Sequence, residues 1–189
     1  MVGPGDIDIA LNALEVIPSD VLREVGAIKA KLGDPLPDVA LPSTRGRPMS
    51  PAEFRGKRHV VLYFYPKDGA PYPELAGCTA EARAFRDRLQ NLRDLDAQVI
   101  GVSRQPLEEQ LAFGETNYLN FPILSDAEGK LGGALGVPEI RAGKDVFWKR
   151  VTFIADKHGL IRKIYPEVLA ERHAEEVLTA LLAVQRRRG

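Results

Sequence analysis

"RHVVLYFYPKDGAPYPELAGCTAEARAFRDRLQNLRDLDAQVIGVS", running from Arg58 to Ser103, decides the fold. Its first piece, RHVVLYFYP, is an unbroken apolar and aromatic run ending at Pro66, the pattern of a strand buried on both faces. Its last piece, AQVIGVS, from Ala97 to Ser103, has the same character. Between them Ala82, Phe85, Leu89 and Leu92 recur at helical spacing. The stretch reads as a β-α-β unit, with the turn-rich KDGAPYPELAG joining the first strand to the helix.

Toward the C-terminus, PLEEQLAFGETNYL predicts a further helix, FPIL a short strand, and DAEGKLGGAL a short helix weakened by its glycines. The alternation then changes. FWKRVTFIAD and GLIRKIYP are two strands separated by Lys157-His158-Gly159, close enough for an antiparallel hairpin. Val168, Val177, Leu178 and Leu181 describe a closing amphipathic helix. A β-α-β half followed by a β-β-α half predicts an α/β protein of thioredoxin-like fold, a mixed central sheet with helices on both faces.

Toward the N-terminus, Gly33 to Ser50 is rich in Pro and Gly and reads as a lead-in loop with edge strands. Before it, Ile7, Leu11 and Leu14 share one helical face, and Pro18-Ser19-Asp20 restarts a helix carrying Val21, Val25, Ile28 and Leu32. The expected organisation is an N-terminal helical extension over 1–32 and one domain over 33–189. No internal repeat is present.

The 189 residues carry 26 Lys plus Arg against 26 Asp plus Glu, which leaves no net attraction to nucleic acid or to an anionic membrane surface. The Arg186 to Arg188 run suits the negative end of a last helix. No segment approaches 18 consecutive apolar residues and no signal-peptide pattern opens the chain, so a cytoplasmic location is expected. The single cysteine allows no intrachain disulfide, as is normal in a reducing compartment. Three scattered histidines give no metal-ligand spacing, and no cofactor is expected.

Cys78 lies where the helix of the β-α-β unit begins. A thiol there meets the positive end of the macrodipole and unpaired N–H groups, and such sites lower a thiol pKa from about 8.5 to roughly 3.5 to 7.5. The competing reading is a small buried apolar residue, common for cysteine. Gly77 permits close approach of a second molecule to the backbone. The loop before it follows a buried strand end, where sites on open α/β sheets usually lie.

VVLYFYPKDGAP, GCTAEARAFRD, VIGVS, FPILSD, GALGVP and KRVTFIAD, from Gly33 to about Tyr165, resemble in order and spacing the peroxiredoxins, most closely those of the bacterioferritin-comigratory or PrxQ type. The resemblance implies a thioredoxin-like fold and reduction of hydroperoxides by a peroxidatic cysteine. On this match Cys78 is that cysteine, Pro66 opens its loop, and Arg150 is the cation beside it. Attack on a peroxide oxygen needs an ionised sulfur and donors for the charge on the departing oxygen, which a guanidinium supplies. The alternative for Arg150 is a surface strand arginine beside Lys149. Glu81 matches an acidic or amide position of the family, but an acid in a first helical turn is already explained electrostatically.

Three departures stand out. Members usually show Pro-x-x-x-Thr-x-x-Cys, whereas Pro66 and Cys78 are 12 positions apart, a loop longer by five residues. Neither register supplies the usual hydroxyl: counting from Pro66 reaches Ala70 and counting back from Cys78 reaches Leu75. Thr79 either replaces it or simply starts the helix. Many members also carry a resolving cysteine five residues after the first, and here that position is Arg83, which either helps ionise Cys78 or is a solvated helix arginine.

The leading reading is therefore a one-cysteine thiol peroxidase acting on hydrogen peroxide or organic hydroperoxides. Cys78 and Arg150 are catalytic, with Pro66, Gly77 and Thr79 supporting. An external thiol, either a small molecule or a thioredoxin- or glutaredoxin-like protein, recycles it. A monomer or homodimer is expected, with neither nucleic acid nor membrane as partner. The second reading is an inactive thioredoxin-fold interaction or scaffold protein. A thiol-disulfide oxidoreductase is disfavoured by the absence of a Cys-x-x-Cys pair.

Overall fold

In the computed structural model, which describes residues 22–186, a five-stranded mixed sheet forms the centre. The strands, in chain order, are β1 (Arg23–Val25), β2 (His59–Phe64), β3 (Ala97–Ser103), β4 (Ile123–Ser125), β5 (Glu139–Ala142), β6 (Asp145–Trp148), β7 (Val151–Ala155) and β8 (Ile161–Tyr165). The helices are α1 (Cys78–Asp87), α2 (Leu89–Asp94), α3 (Leu107–Thr116), α4 (Lys130–Leu135) and α5 (His173–Arg186). The central order is β4-β3-β2-β7-β8, and a second sheet has the order β1-β5-β6. Strands β2, β3 and β4 are parallel, while β7 and β8 run antiparallel to their neighbours. This is the thioredoxin-like arrangement that the alternation of elements predicts.

Every residue of β2 is buried because the strand is central and covered on both faces. Val60, Leu62 and Phe64 point to one side, where they join Leu131, Leu135 and Trp148. Val61 and Tyr63 point to the other, against Phe85, Leu92, Phe113 and Val177 of α1, α2, α3 and α5. Alternation along a strand thus divides one apolar run between two cores. The Tyr63 ring stacks on Phe85 at 4.8 Å between centroids, locking α1 to the strand that precedes it.

Several expectations are corrected. The helical period from Val21 to Leu32 does not produce a helix in its described part. Arg23–Val25 is a strand paired with β5, and the Lys29 and Ala30 N–H groups bond to the Leu135 carbonyl. The expected piece through Ile7, Leu11 and Leu14 lies outside the described residues. The single helix through Ala82 and Leu92 is two helices, broken at Arg88, whose ψ of 8° leaves the helical range. Val168 precedes α5 rather than sharing its face.

FWKRVTFIAD is two strands, separated at Lys149 and Arg150. β6 belongs to a hairpin with β5, turned by Gly143 and Lys144, with Gly143 at a φ of 58°. The chain changes sheets at the break, so Arg150 occupies a corner rather than a strand. The β7–β8 hairpin is as expected. Its turn is held by the Asp156 carboxylate, which accepts from the His158 and Leu160 N–H groups, with Gly159 at a φ of 75°.

Candidate active site

Strand β2 delivers the chain to the site. The Tyr65 N–H still bonds to the Val102 carbonyl at 3.0 Å, and Pro66, which has no N–H to offer, ends the pairing. The loop turns back through a short 3-10 segment, Pro73–Leu75, and Gly77 caps α1 with a φ of 112°. Cys78 is the first residue of the helix and its side chain is 4% exposed.

Three groups surround the sulfur. The Cys78 S–H donates to the Lys67 carbonyl at 3.3 Å, with the Leu75 carbonyl at 3.8 Å, and Arg150 Nη2 donates to Sγ at 3.2 Å. The Arg150 guanidinium also bonds to the Leu75 and Ala76 carbonyls at 3.1 and 3.2 Å. On its other side Nη1 is 2.6 Å from Glu81 Oε2. The sheet-changing break at Lys149 and Arg150 thus aims one arginine inward, while Lys149 pairs outward with Glu24 and Glu167.

Burial pushes the Cys78 thiol up, and the adjacent Arg150 charge opposes that shift without overcoming it. Where the helix start predicts a lowered thiol pKa, burial of the 4% exposed Cys78 raises it instead. Burial likewise pushes the Glu81 carboxyl up to about 7, against the pull of Arg150. Burial disfavours the Arg150 charge too, but Glu81 and Cys78 more than compensate and hold it above its ordinary value. Among the described residues Glu81 Oε1 has no hydrogen-bond partner.

The sequence-predicted residues divide. Cys78 and Arg150 come together across 72 positions of chain. Pro66 is buried at the loop start. Gly77 is required by its positive φ, and a Cβ there would sit 3.0 Å from the Ala170 Cβ, so the neighbour it admits is Ala170 of its own chain. Thr79 is the second residue of α1, and among the described residues no hydrogen bond joins it to the sulfur. Arg83 bonds through Nε to Asn117 Oδ1 at 2.9 Å, which makes it a clamp between α1 and the end of α3.

Glu81 reads in the sequence as a first-turn acid that also matches an acidic or amide position of the resembled family, with no catalytic role assigned. Its function in the geometry is to hold Arg150, a contact over 69 positions that local sequence does not encode. The loop carbonyls of Lys67 and Leu75 were not visible either, since backbone groups leave no residue-type signal. Beside the site, a cleft of about 170 Å3 is lined by Pro66, Lys67, Arg104, Gln105, Glu109 and Phe147, among others. Gln105 Nε2 bonds to Asp68 at 2.7 Å and so ties the loop's first residues to the cleft wall. Among the described residues no helix is long and apolar enough to cross a membrane, and no group of three or more metal-ligating side chains is present.

The model of the AhpC/TSA family matches residues 32–164. Peroxiredoxin Bcp of Bacillus subtilis is 37% identical over 154 residues, covering 80% of this chain and 94% of that protein. The chloroplastic peroxiredoxin Q of Sedum lineare is 36% identical, covering 89% and 87%. Among solved structures, peroxidoxin BcpB from Mycobacterium tuberculosis aligns with a TM-score of 0.71 at 31% identity, covering 82% of this chain and 97% of that one. Xanthomonas campestris peroxiredoxin Q aligns with a TM-score of 0.70 at 28% identity, covering 82% and 97%. With the thioredoxin-like frame shared by these solved structures, the matches show that the chain belongs to the AhpC/TSA family as a peroxiredoxin-type peroxidase.

Proposed function

We propose that Cys78 is the peroxidatic nucleophile and Arg150 the group that orients the peroxide and stabilises the departing oxygen. The observation that carries this reading is the 3.2 Å contact between Arg150 Nη2 and Cys78 Sγ. The sulfur, ionised as the peroxide arrives, attacks one oxygen; the O–O bond breaks, an S–O bond forms, and the thiol's proton ends on the departing oxygen. Hydrogen peroxide gives water and an organic hydroperoxide gives an alcohol, with sulfenic acid left on Cys78. The guanidinium already faces the sulfur, so the charge developing on the departing oxygen meets a donor that needs little rearrangement.

Pro66 and Gly77 support the site by ending the strand and by permitting the turn into α1, and Thr79 supports it from the first turn of the helix. With one cysteine in the chain, an external thiol completes the cycle. It attacks the sulfenic sulfur, water leaves, a mixed disulfide forms, and a second thiol releases Cys78. The thiol is a small molecule or a thioredoxin- or glutaredoxin-like protein. The protein works in the cytoplasm as a monomer or homodimer, without nucleic acid or membrane partners. The division of the chain into an extension over 1–32 and a domain over 33–189 belongs to the same proposal, with Arg23–Val25 the stretch by which the extension pairs with β5.

The test is Cys78→Ser, which leaves an alcohol of similar size that does not ionise near neutral pH. The variant is expected to lose peroxide consumption in the presence of dithiothreitol while melting close to wild type. Equal consumption by both proteins rejects the role of Cys78 and favours the scaffold reading.

A further inference from the structure

The segment between Pro66 and Cys78 is the longest local departure from the family's pattern, and it does not lie free on the surface. Tyr72 and Leu75 of that segment pack with Leu22, Ile140, Ala142 and Phe147 into a third apolar cluster, separate from the two that flank the central sheet. Leu75 and Phe147 are each 7% exposed, and the Tyr72 and Phe147 rings meet edge to face at 6.1 Å. Its wall is the β5–β6 hairpin, the element that ends two residues before Arg150.

Leu75 faces two ways. Its side chain enters the cluster, while its carbonyl accepts from Arg150 Nη2 at 3.1 Å, and the next carbonyl, Ala76, accepts from the same nitrogen at 3.2 Å. That nitrogen is the one that reaches the sulfur. A loop of this length loses backbone freedom when it is ordered. Burial of Leu75 against Phe147, with the half-buried Tyr72 ring beside them, offsets part of that loss. The loop's own backbone bonds, Leu75 N–H to the Tyr72 carbonyl and Ala76 N–H to the Pro73 carbonyl, shape the 3-10 turn, and the cluster anchors that turn to the β5–β6 hairpin.

We propose that Leu75 and Phe147 are positioning residues for the peroxide step: their apolar contact fixes the Leu75 and Ala76 carbonyls, and those carbonyls aim Arg150 Nη2 at the Cys78 sulfur. The inference rests on the catalytic role proposed for Arg150.

The experiment is a double-variant cycle of Phe147→Ala and Arg150→Ala, read by the second-order rate with hydrogen peroxide and by the pH profile of Cys78 alkylation with iodoacetamide. Phe147→Ala is expected to slow the peroxide step about tenfold or more and to move alkylation to higher pH, because a loosened guanidinium stabilises the thiolate less. Phe147→Leu, which refills the cluster, restores most of the rate. In the Arg150→Ala background, Phe147→Ala causes no further loss. Should Phe147→Ala fail to fold, Tyr72→Ala on the loop carries the same two readouts.

A folded Phe147→Ala protein with unchanged rate and alkylation profile overturns the inference, as does a full additional loss in the Arg150→Ala background. An Arg150→Ala protein that reacts as fast as wild type rejects instead the proposed role of Arg150. A lowered melting temperature alone, with both readouts unmoved, marks the cluster as purely structural and also overturns the inference.

Discussion

Arg150 and Glu81 form a buried ion pair, Nη1 to Oε2 at 2.6 Å, with side chains 11% and 1% exposed. Removing one partner of such a pair strands the other charge and costs about 3–5 kcal/mol. Arg150→Ala is therefore expected both to destabilise and to slow the peroxide step by roughly 10- to 1000-fold, the effect of deleting one charge-stabilising donor. Because the Arg150 charge then no longer opposes the effect of burial on the thiol, alkylation of Cys78 at neutral pH should also slow. Stopped-flow rates and alkylation below the melting temperature separate chemistry from unfolding.

The Glu81 carboxyl, pushed up to about 7 by burial, makes stability depend on pH. Its folded pKa lies above the unfolded value of about 4.3, so the folded state binds the extra proton. The contribution is fully present below about pH 4.3 and is lost as pH rises through about 7. The melting-temperature difference, wild type minus Glu81→Gln, should accordingly fall between about pH 4.5 and about pH 8. A difference that rises over that range contradicts the assignment.

His173 acts in the opposite sense. It is fully buried, its Nε2 lies 2.8 Å from Thr152 Oγ1 and its Nδ1 3.4 Å from Glu176, and the rings of Tyr165 and Phe85 meet its edge. Burial pulls its pKa down despite Glu176, with the Arg150 charge adding to the effect. The unfolded chain then binds more protons below about pH 6.5, so stability present above that pH is lost on acidification. Wild type minus His173→Leu, measured by thermal melting, should shrink as pH falls below about 6.5.

The two buried strands were legible because His59–Phe64 and Ala97–Ser103 are continuous apolar runs that solvent exposure would make untenable. The break between Trp148 and Val151 was not legible, since FWKRVTFIAD has no Gly or Pro to mark it. The sheet change depends on what β6 and β7 pair with, not on their own residues. Arg23–Val25 likewise carries a helical period that pairing with β5 overrides. Cys78 and Arg150 were legible through family likeness. Glu81 matched a family position as well, but its pairing with Arg150 and the part played by the loop carbonyls were not legible, because they come from a fold that brings distant groups together.

Peroxide treatment without a thiol tests how oxidation ends. Cys78 is 4% exposed, and a disulfide between two chains needs their sulfurs within about 2.05 Å. Progression from sulfenic to sulfinic and sulfonic acid should therefore outrun linkage. Intact mass and non-reducing gels distinguish the products. A linked dimer as the main species would show that the loop opens faster than the sulfur is overoxidised.

Gly77→Ala should damage the site more than its size suggests. A side chain at a φ of 112° is strained by roughly 1–2 kcal/mol, and its Cβ would press on Ala170 at 3.0 Å. Relief requires moving the start of α1, which carries Cys78. A lowered melting temperature together with a slower peroxide step is expected. A melting change without a rate change would mean that the helix start relaxes away from the sulfur.

The clamp of Arg83 on Asn117 stands where many relatives of the resembled type place their second sulfur. A chain with both sulfurs can close its own electron account before meeting a donor, so its oxidised form is brief. Here the Arg83 clamp joins α1 to the end of α3, and on the proposed one-cysteine cycle the oxidised state lasts until an external thiol arrives. On that cycle the ratio of oxidised to reduced molecules is the quotient of two reaction rates, one with peroxide and one with thiol, so the state of the protein follows the balance of the two around it.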